Sequence, residues 1–231
     1  MGKRENYETG SGVRAVYYSY FLGQNMLYFI VNQYAMLYFT DYVGIAAKVV
    51  GTIFLAARIW DAVDDPMFGA IVDKVNLKGG KYKPWMNFVS VFLPIVSFLL
   101  FCIPNISMGG KIAFAAVIYV LWGMTYTVSD VPGFAIATVM TRNINERNEM
   151  LATSRLFAVL GLMLVSVTII PLSTRFGWTG AALIIAMTAM IFMNLQRKKV
   201  AEKYKAKEEN VTLKKILSCL FHNKYLLIYY A

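Results

Sequence analysis

The feature that most constrains this chain is a series of six apolar runs, at roughly 13–40, 45–72, 84–104, 110–140, 148–172 and 178–196. A hydrocarbon core about 30 Å thick is crossed by about 20 helical residues at 1.5 Å each, so runs of this length read as membrane-spanning helices. Composition supports this: 58% of the 231 residues are hydrophobic and 16% charged, against about half and a quarter in a soluble domain. The fold class expected is an all-α membrane protein built as a six-transmembrane-helix bundle over 13–196.

The net charge of +10 raises nucleic acid as a partner, and the placement of the charge removes it. With the N-terminus inside, seventeen lysines and arginines fall on the cytoplasmic side, at the N-terminus, in the even-numbered turns and along 197–215. Only Lys48, Lys111 and Arg175 fall on the other side. That asymmetry is the positive-inside rule, and it predicts a multi-pass protein of the cell membrane with a cytoplasmic N-terminus. The first twelve residues form a polar tail with no cleavable signal pattern. Cys102 and Cys219 fall on opposite sides of the bilayer, and with His222 alone there is no Cys/His grouping for a structural metal.

After Asn194 the sequence turns to "QRKKVAEKYKAKEEN", which reads as a charged, mobile cytoplasmic linker with an amphipathic segment over 197–222. Residues 223–231 read as the opening turns of a seventh helix, so the expectation is that a second half follows Ala231.

Charge inside the runs is the sharper signal. The second run carries Arg58, Asp61, Asp64 and Asp65 within eight residues. A central aspartate costs about 2.5–3.5 kcal/mol on the insertion scale, so three cost about 8–10, while the apolar side chains of that run return about 5. Such a helix must face a polar interior rather than lipid. Positions i, i+3 and i+4 place Asp61, Asp64 and Asp65 on one helical face, and Pro66 lacks the N–H that would occupy a carbonyl one turn back. Carboxylates with spare carbonyl and hydroxyl oxygens suit a hard cation such as Na⁺ or Li⁺. Acids held close together also suit a proton carrier. The plainer alternative is that Arg58 and Asp61 pair to hold helices together, which leaves two acids unexplained.

Depth points the same way. Counting 1.5 Å per residue from the cytoplasmic ends, Asp61, Asp65, Asp130, Arg155 and Asn25 lie about 12–18 Å in, near the midplane. Polar groups from four runs converging on one depth are what a central solute site requires. Around Asp130, in "LWGMTYTVSDVPGF", Trp122 and Tyr126 recur at i and i+4 before the acid at i+8, with Ser129 beside it. An aromatic face packs on the C–H face of a sugar ring while a carboxylate accepts two hydroxyls. On the first run Tyr18, Asn25 and Asn32 recur every seven residues, with Tyr28 nearby.

The segments "YFTDYVGI", "GTIFLAARIWDAVDDPMFGAIVD", "GKYKPW", "LWGMTYTVSDVP" and "TSRLFAVLG" together resemble the glycoside–pentoside–hexuronide:cation symporters of the major facilitator superfamily, from about residue 14 to "TLKKI". The resemblance implies twelve helices in two six-helix halves, of which this chain is the N-terminal one. It also implies alternating access and uptake of a sugar or glycoside coupled to Na⁺, Li⁺ or H⁺, with no further cofactor. On the family's pattern Asp61 and Asp65 are cation-binding acids, with Asp64 an added acid where asparagine often stands, and Thr127 is a hydroxyl ligand. Asp130 and Arg155 match sugar contacts, Trp122 and Tyr126 the aromatics by the sugar, and Asp73, Lys81 and Lys83 belong to the loop that closes the inner gate. Asn25 stands where galactoside carriers of the family have an acid, so a pentoside, glucoside or glucuronide ranks level with a galactoside.

Other classes fare worse. An intramembrane aspartyl protease needs Gly-x-Gly-Asp, whereas the acids here lie in "RIWDAV" and "TVSDVPG", so an enzyme is not expected. A pore would conduct without saturating. The runner-up is a carrier of the same fold for a non-sugar solute such as a lysolipid.

Overall fold

A backbone surrounded by hydrocarbon must satisfy its own N–H and C=O groups, and a helix does so within one segment. The computed structural model describes residues 7–75 and 77–205, and these are helical apart from short turns and one isolated bridge between Leu77 and Gly80. Helix α1 spans Ser11–Leu37 and runs into a π-helical turn at Tyr38–Tyr42; α2 spans Ala47–Lys74, α3 Lys83–Leu99, α4 Met108–Ala135 and α5 Ala137–Met140. Helix α6 covers Ile144–Asn194, broken at Gly177, and α7 covers Gln196–Lys199. The first four apolar runs fall on α1, α2, α3 and α4–α5, and the last two on the limbs of α6 either side of Gly177.

Local chemistry sets several of these ends. Ser107 caps α4 by accepting from Gly110 N–H, and Asn143 caps α6 by accepting from the N–H groups of Asn145 and Glu146. Pro84 sits in the first turn of α3, where a missing N–H costs nothing. Gly177 has φ 70° and ψ 170°, a left-handed backbone that glycine tolerates, so it turns the chain back with a single residue.

Two of these helical stretches, Met108–Met140 and Ile144–Lys199, are long and apolar enough to cross a membrane by length and composition. Only 17% of the most apolar part of the second is buried within the protein, and residues such as Leu156 and Val167 point outward at 66% and 75% exposure. The buried core helix of a soluble protein would show the reverse. Helices α1 and α2 fall short of that apolarity because they carry the polar residues of the site.

Helix α1 is the hub. A methyl built on Gly161 would stand 2.3 Å from the Leu22 carbonyl oxygen, and one on Gly23 would stand 2.5 Å from the Ala189 carbonyl oxygen. Both limbs of α6 therefore grip α1 backbone to backbone, which only glycine permits. On the other side, Tyr17 and Tyr20 donate to the carbonyls of Gly133 and Ser129 at 3.1 and 2.9 Å. These carbonyls flank Pro132, whose ring interrupts the α4 hydrogen-bond ladder. At the end of the bundle bearing Gly177, Tyr34, Tyr38, Tyr42, Phe101 and Trp178 form one aromatic cluster.

At the opposite end the chain after α7 is tied down, where a free linker is expected from its composition. The Glu202 carboxylate accepts from the N–H groups of Lys81, Tyr82 and Lys83 at 2.9, 2.7 and 2.8 Å, capping α3. The N–H groups of Lys203 and Tyr204 both donate to the Val139 carbonyl. Most of the expected linker and all of the expected seventh helix, 206–231, lie outside the described residues.

Candidate functional site

Helices α1, α2 and α4 enclose a cavity of about 540 Å³. Its polar lining is Asp61 and Asp65 from α2, with Arg58, and Thr127 and Asp130 from α4; Tyr28, Trp122 and Tyr126 supply the aromatic wall. Rings of Tyr28 and Tyr126 lie 5.0 Å apart, and those of Trp122 and Tyr126 5.6 Å, within the range of favourable aromatic contact. The indole N–H of Trp122 donates to Ser97 at 3.1 Å, so this ring offers the cavity its carbon surface while its donor is spent on α3.

The α2 acids do not share one environment. At about 100° per residue, Asp61 and Asp65 differ by about 40° around the helix, while Asp64 lies about 100° from Asp65. Asp61 and Asp65 line the cavity; Asp64 does not, and it is buried at 8% exposure with Oδ2 lacking a hydrogen-bond partner among the described residues. Asp65 Oδ1 accepts from the Thr127 hydroxyl at 2.7 Å, tying α2 to α4. Asp61 pairs at 3.5 Å with Arg58, which also donates to the Asn32 side chain at 3.1 Å. At Gly123 the α4 backbone comes close to the Asp61 carboxylate, and a methyl there would sit 2.9 Å from its Oδ1. Between the two acids Ala62 also lines the cavity, and Pro66 inside α2 lacks the N–H that would bond the Ala62 carbonyl in a regular helix. Among the described residues no three carboxylate, histidine or cysteine side chains form a metal-holding group, so any cation here would draw on carboxylate, hydroxyl and carbonyl oxygens together.

Other expected site residues fall elsewhere. Asn25 donates to its own helix at Phe21, and Arg155 is exposed; neither lines the cavity. Ser129 is buried against Tyr20. Lys81 and Lys83 meet Glu202 through their backbone N–H groups, and the side chain of Asp73 lies outside the described residues. One residue was missed: Gln24 is fully buried, donates its amide to Asp130 Oδ1 at 3.2 Å, and leaves its own Oε1 without a partner among the described residues. The signal was present in the α1 face Tyr17, Tyr20, Gln24, Tyr28, spaced three and four apart; the heptad stripe through Asn25 drew attention one residue away.

At the Glu202 end, Glu146 is buried and accepts from the Thr141 hydroxyl at 2.6 Å and from the N–H groups of Thr9 and Glu8 at 2.9 and 3.0 Å. Burial works to raise this carboxyl, but the donors outweigh it and hold the group below its ordinary value of 4.5.

Comparison with known proteins gives one consistent result. The family profile described as MFS/sugar transport protein matches residues 16–231. The isoprimeverose transporter of Lactiplantibacillus pentosus is 33% identical over 176 residues, covering 72% of this chain and 37% of that protein. The inner membrane symporter YicJ of Escherichia coli strain K12 is 37% identical over 147 residues, 64% of this chain and 32% of that protein. The putative glycoside/cation symporter YagG of the same strain is 30% identical over 163 residues, 68% and 35%. The chain thus spans only about a third of the length of these curated relatives.

Proposed function

This chain belongs to the MFS/sugar transport family, within the glycoside–pentoside–hexuronide:cation symporters, and from that membership we propose that it takes up a sugar or glycoside in symport with Na⁺, Li⁺ or H⁺ by alternating access. In this reading it forms the six-span N-terminal half of the carrier, multi-pass in the cell membrane, with the N-terminus and the Glu146–Glu202 end in the cytoplasm. A second six-helix half completes the solute site.

The observation that carries the proposal is the shared cavity. Asp61 and Asp65 from α2 and Asp130 from α4 line it together, and Arg58 is the one cation in that lining among the described residues, so the lining itself holds three carboxylates to one guanidinium. A coupling cation would take oxygens from Asp61, Asp65 and Thr127, with the freed Ala62 carbonyl within the same wall. Asp64 would lend its charge from behind that wall without supplying a ligand. Thr127 and Asp130 are three residues apart on α4, about 5–6 Å on one face, so an ion held at the first changes the field at the second. Asp130, steadied by Gln24, then accepts sugar hydroxyls while Tyr126 and Trp122 pack against the ring. Asn25 enters as a sugar contact on the family's pattern alone, while Arg155, outside the lining, is close enough to Asp130 to act on its charge. The loop with Asp73, Lys81 and Lys83, clamped by Glu202, would move when the cytoplasmic end opens.

The test is accumulation of radiolabelled glycosides in membrane vesicles under imposed Na⁺, Li⁺ or proton gradients. Accumulation should require one of these gradients and vanish in Asp61→Asn and Asp65→Asn, while Asp41→Asn, outside the cavity, should leave it intact. Full accumulation in Asp65→Asn would overturn the cation assignment, and gradient-driven movement of a lysolipid with no glycoside movement would overturn the substrate class.

A further inference from the structure

A second concavity, of about 460 Å³, opens at the Glu146–Glu202 end of the bundle, lined by Thr138, Thr141, Arg142, Arg147, Tyr204 and Lys205. It shares no lining residue with the first cavity, and Thr138 follows Asp130 by eight residues, about 12 Å of helix.

Its lining holds three cations and no acid. Among the described residues none of Arg142, Arg147 and Lys205 has a carboxylate within ion-pair distance, unlike Arg14 with Glu149 and Arg58 with Asp61. The nearby acids are already engaged. Glu146 is occupied by Thr141, Thr9 and Glu8, and Glu8 accepts from the Arg142 backbone N–H at 3.2 Å and the Tyr204 hydroxyl at 2.9 Å.

The pocket is assembled from two distant stretches of chain and held firmly. Lys203 and Tyr204 hang from the Val139 carbonyl at 2.9 and 3.0 Å. The Arg142 guanidinium lies 4.4 Å from the centre of the Tyr204 ring, a cation–π contact. The positive-inside bias explains basic residues in these loops but not their convergence on one concavity. Like charges gathered this way repel one another, and an anion seated among them reverses the sign of that energy. Two guanidinium forks and an ammonium suit a tetrahedral oxyanion with several acceptor oxygens.

We propose that this pocket binds a phosphate-bearing anion, either an anionic lipid headgroup or a free phosphate ion, and through it ties the 200–205 strap to the turn between α5 and α6.

The experiment places the chain in nanodiscs and measures binding of fluorescent phosphatidylglycerol against a phosphatidylcholine background, with inorganic phosphate as competitor. Binding should saturate and weaken about fivefold for each cation neutralised in Arg142→Gln, Arg147→Gln and Lys205→Gln. Lys198→Gln with Lys199→Gln, which removes two charges outside the pocket, should leave it unchanged. Arg142→Lys and Arg147→Lys should recover most of the affinity, which separates loss of charge from loss of fold. Competition by inorganic phosphate would identify a free-ion site, and pocket-dependent binding without competition would identify a lipid headgroup site. Wild-type affinity in the Arg→Gln variants, or an equal loss in the Lys198/Lys199 variant, would overturn the proposal.

Discussion

Gly161→Ala should loosen the protein through a site that touches no ligand. The added methyl would stand 2.3 Å from the Leu22 carbonyl oxygen, where ordinary contact begins at 3.4 Å, so α1 and α6 must separate by about 1 Å. The obstacle is backbone and cannot rotate aside, which puts the overpacking cost toward the upper part of the usual range of about 1–3 kcal/mol. Alanine returns about 1 kcal/mol of helix propensity, leaving a net loss of about 1–2 kcal/mol. Gly51→Ala is the control, since nothing lies within 4 Å of its methyl, and it should gain about 0.5–1 kcal/mol. Thermal unfolding in detergent should therefore move the two variants in opposite directions. Helix α1 also carries Gln24 and Tyr28, so the same shift would stretch the 3.2 Å Gln24–Asp130 bond and weaken substrate binding in Gly161→Ala alone. If Gly161→Ala were as stable as Gly51→Ala, the backbone grip on α1 would be refuted.

Gln24→Leu removes a charge-assisted bond to Asp130 and should raise KM for the solute about tenfold, from about 1.5 kcal/mol, and lower the unfolding temperature as well, since the bond is made before solute binds; uptake kinetics and thermal unfolding check it. Glu202→Ala frees three N–H groups at the start of α3, and hydrogen exchange at Lys81, Tyr82 and Lys83 should speed up while the α1 core stays protected. Because the Glu146 carboxyl is held below its ordinary 4.5, its stabilising effect is complete above that pH and is lost as pH falls through the lower folded value. Stability curves measured from pH 6 downward should therefore be flatter in Glu146→Gln than in the wild type.

The helices were legible because apolar run length is a direct consequence of bilayer thickness and survives any tertiary arrangement. That α6 has two limbs was legible too, as the separate runs 148–172 and 178–196, but the placement of the break at Gly177 came only from the structure. Which carboxylates face the cavity was not. Spacing put Asp61, Asp64 and Asp65 within one arc of α2, but only the position of α4, with Thr127 against Asp65 and Gly123 against Asp61, divides that arc into a lining edge and a buried one. Glu202 and Glu146 were invisible for a related reason. Each satisfies N–H groups more than a hundred residues away, and such pairings leave no periodic trace, so a charged segment after α7 read as a free linker. Gln24 was missed because a neutral amide next to Asn25 stands out only once its hydrogen bond to Asp130 is seen.

The central claim is that ion and solute meet in the cavity between α1, α2 and α4, and linkage measures it directly. The measurement is calorimetric titration of the solubilised carrier with its glycoside, with and without the coupling cation, followed by the reverse titration. The account predicts that each ligand raises the other's affinity by one common factor, and that Asp65→Asn removes the coupling while solute binding persists at its cation-free level. Affinities independent of each other, or coupling that survives in Asp65→Asn, would contradict it.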